Sequence, residues 1–536
     1  MANTTIPHLL PDVQLASEWA FIELSPMWIS WGAVFVLGHV IWSLFSRHPQ
    51  DIHPPGPTGL PVIGNVHQMT HDAWNKFMEW KAVYGPIVHL RFFRQNVVVL
   101  NTLQSAVDLL DKRAAKYSSR PRFVVACQML TEGYFFVFQG YTDLWRRMRR
   151  AAHESLHKGA VHQFHSIQAV EATMLLHDLI HTPESWEAHL QRTSASTLLS
   201  ACYGTPPLRS IDDPEVELLN TFTRKIVRAG YVDAYAVECM PFLRHIPTWL
   251  APWKKDALEW APRFTKLFEN FFTQARNRAI NEDRTETISA MISENEKKYN
   301  LTPQETAWLI GTIASGYETI SGTMSWWALA MVMNPDVQKT AQAEIDAVVG
   351  RDRLPTMEDL DKLVYLQAML KEVLRWHPVG PLGMQHTSSE DDHYEGYFIP
   401  KGTICIANVW AINRDPDIWG PDADKFNPAR YLQPSEHLAA AMADTKDEGH
   451  VTYGFGRRIC VGRHLARDTL LLNMASILWM FDVKPPLDSA GQPVACVEDS
   501  VDHGLVVRPQ EYQHRFVPRT PDVVDILQSH KELLGI

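Results

Sequence analysis

Tyr453-Gly454-Phe455-Gly456-Arg457-Arg458-Ile459-Cys460-Val461-Gly462 is the stretch on which the fold of this chain turns. It reads as a loop that holds one cysteine thiolate toward a metal. Gly454, Gly456 and Gly462 permit tight or positive-φ backbone and close approach by a flat partner. Arg457 and Arg458 bring positive charge, which favours thiolate over thiol. The run His464-Leu465-Ala466-Arg467-Asp468-Thr469-Leu470-Leu471-Leu472 has helical character. Unpaired N–H groups and the positive dipole end at its start would lower the cysteine pKa further. A structural cysteine beside a glycine turn is the ordinary alternative, and the spacing of the surrounding residues argues against it.

The loop resembles the haem-binding loop of the cytochrome P450 family, Phe-x-x-Gly-x-Arg-x-Cys-x-Gly. Gly456, Arg458, Cys460 and Gly462 match in register, while Tyr453 stands where the family has Phe and adds a hydroxyl. The resemblance implies haem b (iron protoporphyrin IX) with Cys460 as the axial iron ligand. It also implies a mainly α fold with a minor β region, the cytochrome P450 fold.

A second cluster lies in the stretch Pro303 to Met333, which reads as one long helix with Pro303 in its first turn. It contains Ser315-Gly316-Tyr317-Glu318-Thr319. Glycine costs about 1 kcal/mol in a helix interior, so Gly316 needs a packing or ligand reason. A solvent-facing Glu beside a Thr is the common reading of such a pair. The stretch resembles the family's oxygen-activation motif, Ala/Gly-Gly-x-Asp/Glu-Thr. That resemblance makes Thr319 and Glu318 the catalytic pair, with Thr319 assisting oxygen activation and Glu318 helping to deliver protons.

Glu372 and Arg375 stand three apart and share a helix face, an ordinary pair worth about 0.2–0.5 kcal/mol by itself. They match the family's Glu-x-x-Arg motif, for which Arg430 would be the third member, as structural support behind the loop. Trp145 and Arg149 lie one helical turn apart and match Trp-x-x-x-Arg. Haem carries two propionates that need cationic partners. By the resemblance Arg149, Trp145 and Arg458 serve them, with His386 a weaker candidate. Arg146, Arg147, Arg150 and Arg457 are left as a solvated face or as a docking surface for an acidic reductase.

The 536-residue chain is 46% hydrophobic and carries a net charge of -11, which provides for a large core and excludes general nucleic-acid affinity. Its six cysteines are scattered, with no Cys-x-x-Cys pair, so neither a disulfide scaffold nor a structural zinc site is expected. Helical patterns dominate, including Val170–Leu179 and Met357–Trp376. Strand-like runs occur at Ile87–Phe92, Val97–Leu100, Thr403–Asn408 and Gly504–Arg508.

Met27–Phe45 is apolar, without Asp, Glu, Lys or Arg, and reads as one transmembrane helix. Asp12, Glu18 and Glu23 precede it and Arg47 follows, which orients residues 1–26 to the lumen. Residues 46–65 form a proline-rich hinge, 66–518 the haem-thiolate catalytic domain and 519–536 a tail with one short helix, Val523 to Leu534. Localisation at the endoplasmic reticulum membrane with a cytosolic catalytic domain follows, and the Asn3-Thr4-Thr5 sequon makes Asn3 a possible glycosylation site.

The expected activity is that of a membrane-anchored monooxygenase oxidising a lipophilic small molecule. The family resemblance adds O2, NADPH-cytochrome P450 reductase and a place in fungal secondary metabolism. Pro241, Phe242, Ile246, Trp249, Leu250, Pro252 and Trp253 form an apolar patch suited to the bilayer or to the core, and Phe123 to Phe138 is expected to line the pocket. An isomerase or dehydratase on the same fold, and a non-catalytic haem sensor or electron carrier, are the alternatives. Thr319 speaks against the first.

Overall fold

Apolar residues recur at helical spacing along most of the chain, and helices form where that spacing meets a start signal. The structure, a computed structural model, describes residues 52–536 apart from 211–213, 231–233, 282–285 and 503–505, and also Gly38. Gly38 aside, the expected anchor at 27–45 lies outside the described residues, as does the lumenal segment with Asn3. Among the described residues no helix is long and apolar enough to cross a membrane.

The principal helices are α1 (Ala73–Tyr84), α2 (Asp143–Leu156), α3 (His165–His181), α4 (Trp186–Tyr203), α5 (Pro214–Ala229), α6 (Pro252–Asn281), α7 (Pro303–Ala314), α8 (Tyr317–Met333), α9 (Pro335–Val349), α10 (Val364–Trp376), α11 (Arg463–Met480) and α12 (Val523–Leu534). Thr142 caps α2 by accepting from the Trp145 amide at 3.1 Å. A capping box opens α7, with Thr302 accepting from the Glu305 amide and the Glu305 carboxylate accepting from the Thr302 amide at 2.8 Å. Helix α8 is buried nearly all round, Trp326 and Trp327 included, and packs against α4, α10 and α11. The tail helix α12 lays Val523 and Leu527 against α3.

The expected single helix from Pro303 to Met333 is two helices. The chain turns at Ser315 and Gly316, where the Gly316 amide bonds back three residues to the Ile313 carbonyl at 3.0 Å. A Cβ on Gly316 would lie 3.1 Å from that same oxygen, which is the packing reason for glycine here. The run Met357–Trp376 is likewise divided, into a 3-10 turn over Met357–Lys362 and α10.

Strands β1 (Ile87–Phe92), β2 (Gln95–Leu100), β3 (His386–Thr387) and β4 (Ile404–Ala407) make one sheet in the order β1-β2-β4-β3. Parallel β2 and β4 align Val97 with Ile404 across three hundred residues of intervening chain. The apolar strand expected at Gly504–Arg508 is shorter in the described residues: β5 (Val507–Pro509) pairs with Ser500–Asp502.

Between α5 and α6 the chain runs through two short 3-10 turns at Pro241–His245 and Thr248–Leu250. Phe242, Trp249 and Leu250 are 67%, 77% and 58% exposed, whereas Leu243 and Trp253 pack on the core. The patch therefore divides into an exposed part and a part that packs on the core.

Candidate active site

The cysteine loop is shaped by its own backbone. The Cys460 amide donates to the Tyr453 carbonyl at 2.8 Å, and Gly454 and Gly456 adopt φ of 78° and 53°. Close approach at Gly456 is by protein: a Cβ there would sit 2.3 Å from the Leu110 carbonyl oxygen, and its amide donates to the Asp111 carboxylate. Gly462 has an ordinary φ of -86° and begins α11, and a Cβ there would meet no protein atom within 4 Å. That leaves room for a flat group beside Cys460.

The Cys460 thiol is accessible, yet the protein around it desolvates it enough to raise its pKa. The groups that oppose the rise are the amides of Gly462 and Arg463 and the charges of Arg149 and Arg463. The expected source of thiolate stabilisation, Arg457 and Arg458, is thus replaced by other residues. Arg457 instead donates to the Tyr141 hydroxyl at 2.6 Å. Burial outweighs all of these, so a bound cation is what would fix the thiolate form.

Four basic side chains converge around Trp145. Arg458 donates to the carbonyls of Ser118 and Gln139, both at 2.7 Å, and lies 3.9 Å from the centre of the Trp145 ring. Arg120 donates to the carbonyls of Met384 at 2.7 Å and Gln385 at 2.9 Å. Arg149, one turn beyond Trp145 on α2, has no ion pair or hydrogen bond among the described residues. No carboxylate pairs with any of the three arginines among the described residues. Burial and mutual repulsion push the Arg458 guanidinium down to about 8, and burial takes Arg120 down to about 9. His386 is buried, donates through Nδ1–H to the Tyr117 carbonyl at 2.7 Å, and is held well below its usual pKa by burial and by Arg120. Arg120 stands at the same edge. Trp145 Nε1 is buried without a partner. Uncompensated cations and an orphaned N–H call for an anion.

Thr319 donates its hydroxyl to the Gly316 carbonyl at 2.8 Å, across the break between α7 and α8. Glu318 is committed to Arg508 of β5, at 2.6 Å, and Arg508 also donates to Ser321 at 2.6 Å. Glu318 borders a cavity of about 930 Å3 that runs past α1, α5 and β4. The Phe123 to Phe138 stretch does not border this cavity; its aromatics pack in the core, Phe123 tilted against Phe138 with ring centres 4.7 Å apart.

Behind the loop, Arg375 makes a bidentate pair with Glu372 at 2.7 and 2.8 Å, both fully buried, and Arg430 adds a contact to Glu372 at 3.0 Å. Arg375 also donates to the Asn413 carbonyl at 2.7 Å. The Asn413 side chain reaches the Val451 amide at 3.1 Å and the Thr452 hydroxyl at 3.0 Å. The buried ion cluster is therefore tied through Asn413 to the residues that enter the cysteine loop. Arg147, one of the spare arginines, is spent on Asp143 at 3.0 Å and Glu305 at 3.4 Å.

The family model described as Cytochrome P450 matches residues 54–516. The chain belongs to the cytochrome P450 family. It is 46% identical over 515 residues to a cytochrome P450 monooxygenase of Armillaria gallica, covering 96% of this chain and 98% of that one. A cytochrome P450 monooxygenase of Postia placenta is 45% identical over 478 residues, with 89% and 90% covered. The cytochrome P450 monooxygenase iboC of Amanita muscaria is 37% identical over 544 residues, with 92% and 96% covered.

This P450 is a haem-dependent monooxygenase that uses O2, a redox partner and a small-molecule substrate. The donor set fits haem. A thiol, an open face at Gly462, three unpaired arginines and an orphaned indole N–H match an iron porphyrin with two propionates. Arg120 was not among the residues singled out from sequence; it sits in no motif, and only the fold brings it to Gln385. Arg508 was missed for the same reason.

Proposed function

We propose that this P450 is membrane-anchored at the endoplasmic reticulum and oxidises a lipophilic small molecule in fungal secondary metabolism, with electrons from NADPH-cytochrome P450 reductase. Bound haem supplies the oxygen chemistry, and a thiolate ligand favours O–O cleavage. The observation that carries the site is the group of arginines around Trp145 that have no carboxylate partner among the described residues, together with the accessible thiol of Cys460.

In this reading Cys460 would hold the haem iron. Arg120, Arg149 and Arg458 would neutralise its propionates, and Trp145 Nε1 would offer them a donor. Gly462 would leave room beside Cys460 for the flat group, and Gly456 lets the loop sit on Leu110. Glu372, Arg375 and Arg430 hold the loop from behind. Glu318, on the cavity side, takes protons from solvent, and the Thr319 hydroxyl passes them inward from the helix break. The exposed Phe242, Trp249 and Leu250 supply an apolar face for the bilayer. The relatives in Armillaria, Postia and Amanita support the fungal setting.

The test is product formation in reductase-containing microsomes against panels of terpenoids, polyketides and indoles. NADPH-dependent oxygenated product from at least one compound is expected. Oxygen uptake that no compound stimulates would remove the catalytic reading.

A further inference from the structure

The cavity of about 930 Å3 has an apolar side made by Trp74, Phe77, Leu382 and Ile406. A plain hydrocarbon would suit that surface. Gln385 does not suit a hydrocarbon. It lines the same cavity, is 5% exposed, and its Oε1 is buried without a partner. Its side chain makes no hydrogen bond among the described residues. The backbone beneath it is fixed, because the Gln385 carbonyl accepts from Arg120 at 2.9 Å. An unsatisfied buried amide is costly, and a leucine of similar size would fill the space without that cost.

We propose that Gln385 is a specificity-determining residue that binds a hydroxyl group, and that the substrate is an otherwise apolar alcohol. This rests on the monooxygenase reading above and adds the class of molecule. A primary amide offers an acceptor and two donors, and a hydroxyl is both donor and acceptor. The match holds whichever way the amide is turned. A hydrocarbon would leave the amide unpaired. A carboxylate could use only the N–H end and would leave Oε1 unpaired.

The test uses full-length holoprotein and reads binding from the spectral shift of the ferric haem. The probes are three matched pairs: 1-dodecanol and dodecane, farnesol and farnesene, borneol and bornane. For each pair the ratio of hydrocarbon to alcohol dissociation constants is compared between the natural protein and Gln385→Leu. The ratio should fall about tenfold in the variant for at least one pair, with haem content unchanged. Ratios within about twofold of the natural protein for every pair would overturn the assignment, as would failure of all three alcohols to bind. Loss of haem from Gln385→Leu would assign the residue to the cofactor and also overturn it. Absence of a thiolate-type carbon monoxide spectrum in the natural protein would instead sink the monooxygenase reading.

Discussion

Arg149→Gln should loosen haem while leaving the haem-free protein as stable as before. The two effects separate because Arg149 has no hydrogen-bond or ion-pair partner among the described residues. Burial lowers its pKa. Its charge also helps to depress the pKa of Arg458. In the haem-free protein it is therefore a crowded cation, and removing it relieves repulsion. With haem bound it supplies a charge-assisted hydrogen bond worth about 1.5–3 kcal/mol. That corresponds to a roughly 10- to 150-fold weaker hold on haem. An unremarkable surface residue would change stability by no more than about 0.5 kcal/mol in either form. Haem transfer to apomyoglobin measures the first quantity, and urea unfolding of the haem-free protein measures the second. Haem loss within about twofold of the natural rate, or equal destabilisation of both forms, would refute the propionate role.

Glu372→Gln should cost about 3–5 kcal/mol, because it strands the fully buried Arg375 without its anion and leaves Arg430 only Asp422, at 3.2 Å. That is a large part of a typical total stability, so the yield of folded holoprotein should collapse; a normal urea midpoint would contradict the bracing role. Thr319→Ala should keep haem and still consume NADPH, with electrons diverted to hydrogen peroxide and less product per NADPH, and Thr319→Ser should recover part of the coupling. Unchanged coupling in the alanine variant would exclude Thr319 from proton transfer. The Arg353 guanidinium holds the Asp359 carboxyl down to about 2. A carboxyl depressed on folding adds stability that is complete above its unfolded value and fades as pH falls toward the folded one. With Arg353 about half exposed, Asp359→Asn should cost about 1–2 kcal/mol at neutral pH, a gap that narrows below about pH 4. A gap independent of pH would mean that Asp359 acts through shape alone.

Much of the site was legible because its parts are local in sequence. Cys460 with its glycines, Trp145 with Arg149, and Glu372 with Arg375 each sit within one turn or one loop, where spacing alone sets geometry. Arg120 and Arg508 lie outside any such spacing. Their partners, Gln385 and Glu318, are brought to them by the sheet and by β5, which no local pattern encodes. The break at Ser315 and Gly316 was hidden because apolar periodicity continues through it, and a single 3-10 step leaves the pattern intact. The glycine at 456 was recognised as a point of close approach, but the approaching atom belongs to Leu110. Tyr453 keeps one open feature: its hydroxyl is buried without a partner, near an equally unpartnered Nε2 of His450.

The central claim is that Cys460 binds haem iron as a thiolate. The carbon monoxide difference spectrum of the reduced protein tests it most directly. The natural protein should give the red-shifted thiolate-type band, and Cys460→His should retain haem but give the band of a histidine-ligated haem. A thiolate-type band that persists in Cys460→His, or that never appears in natural protein loaded with haem, would contradict the account.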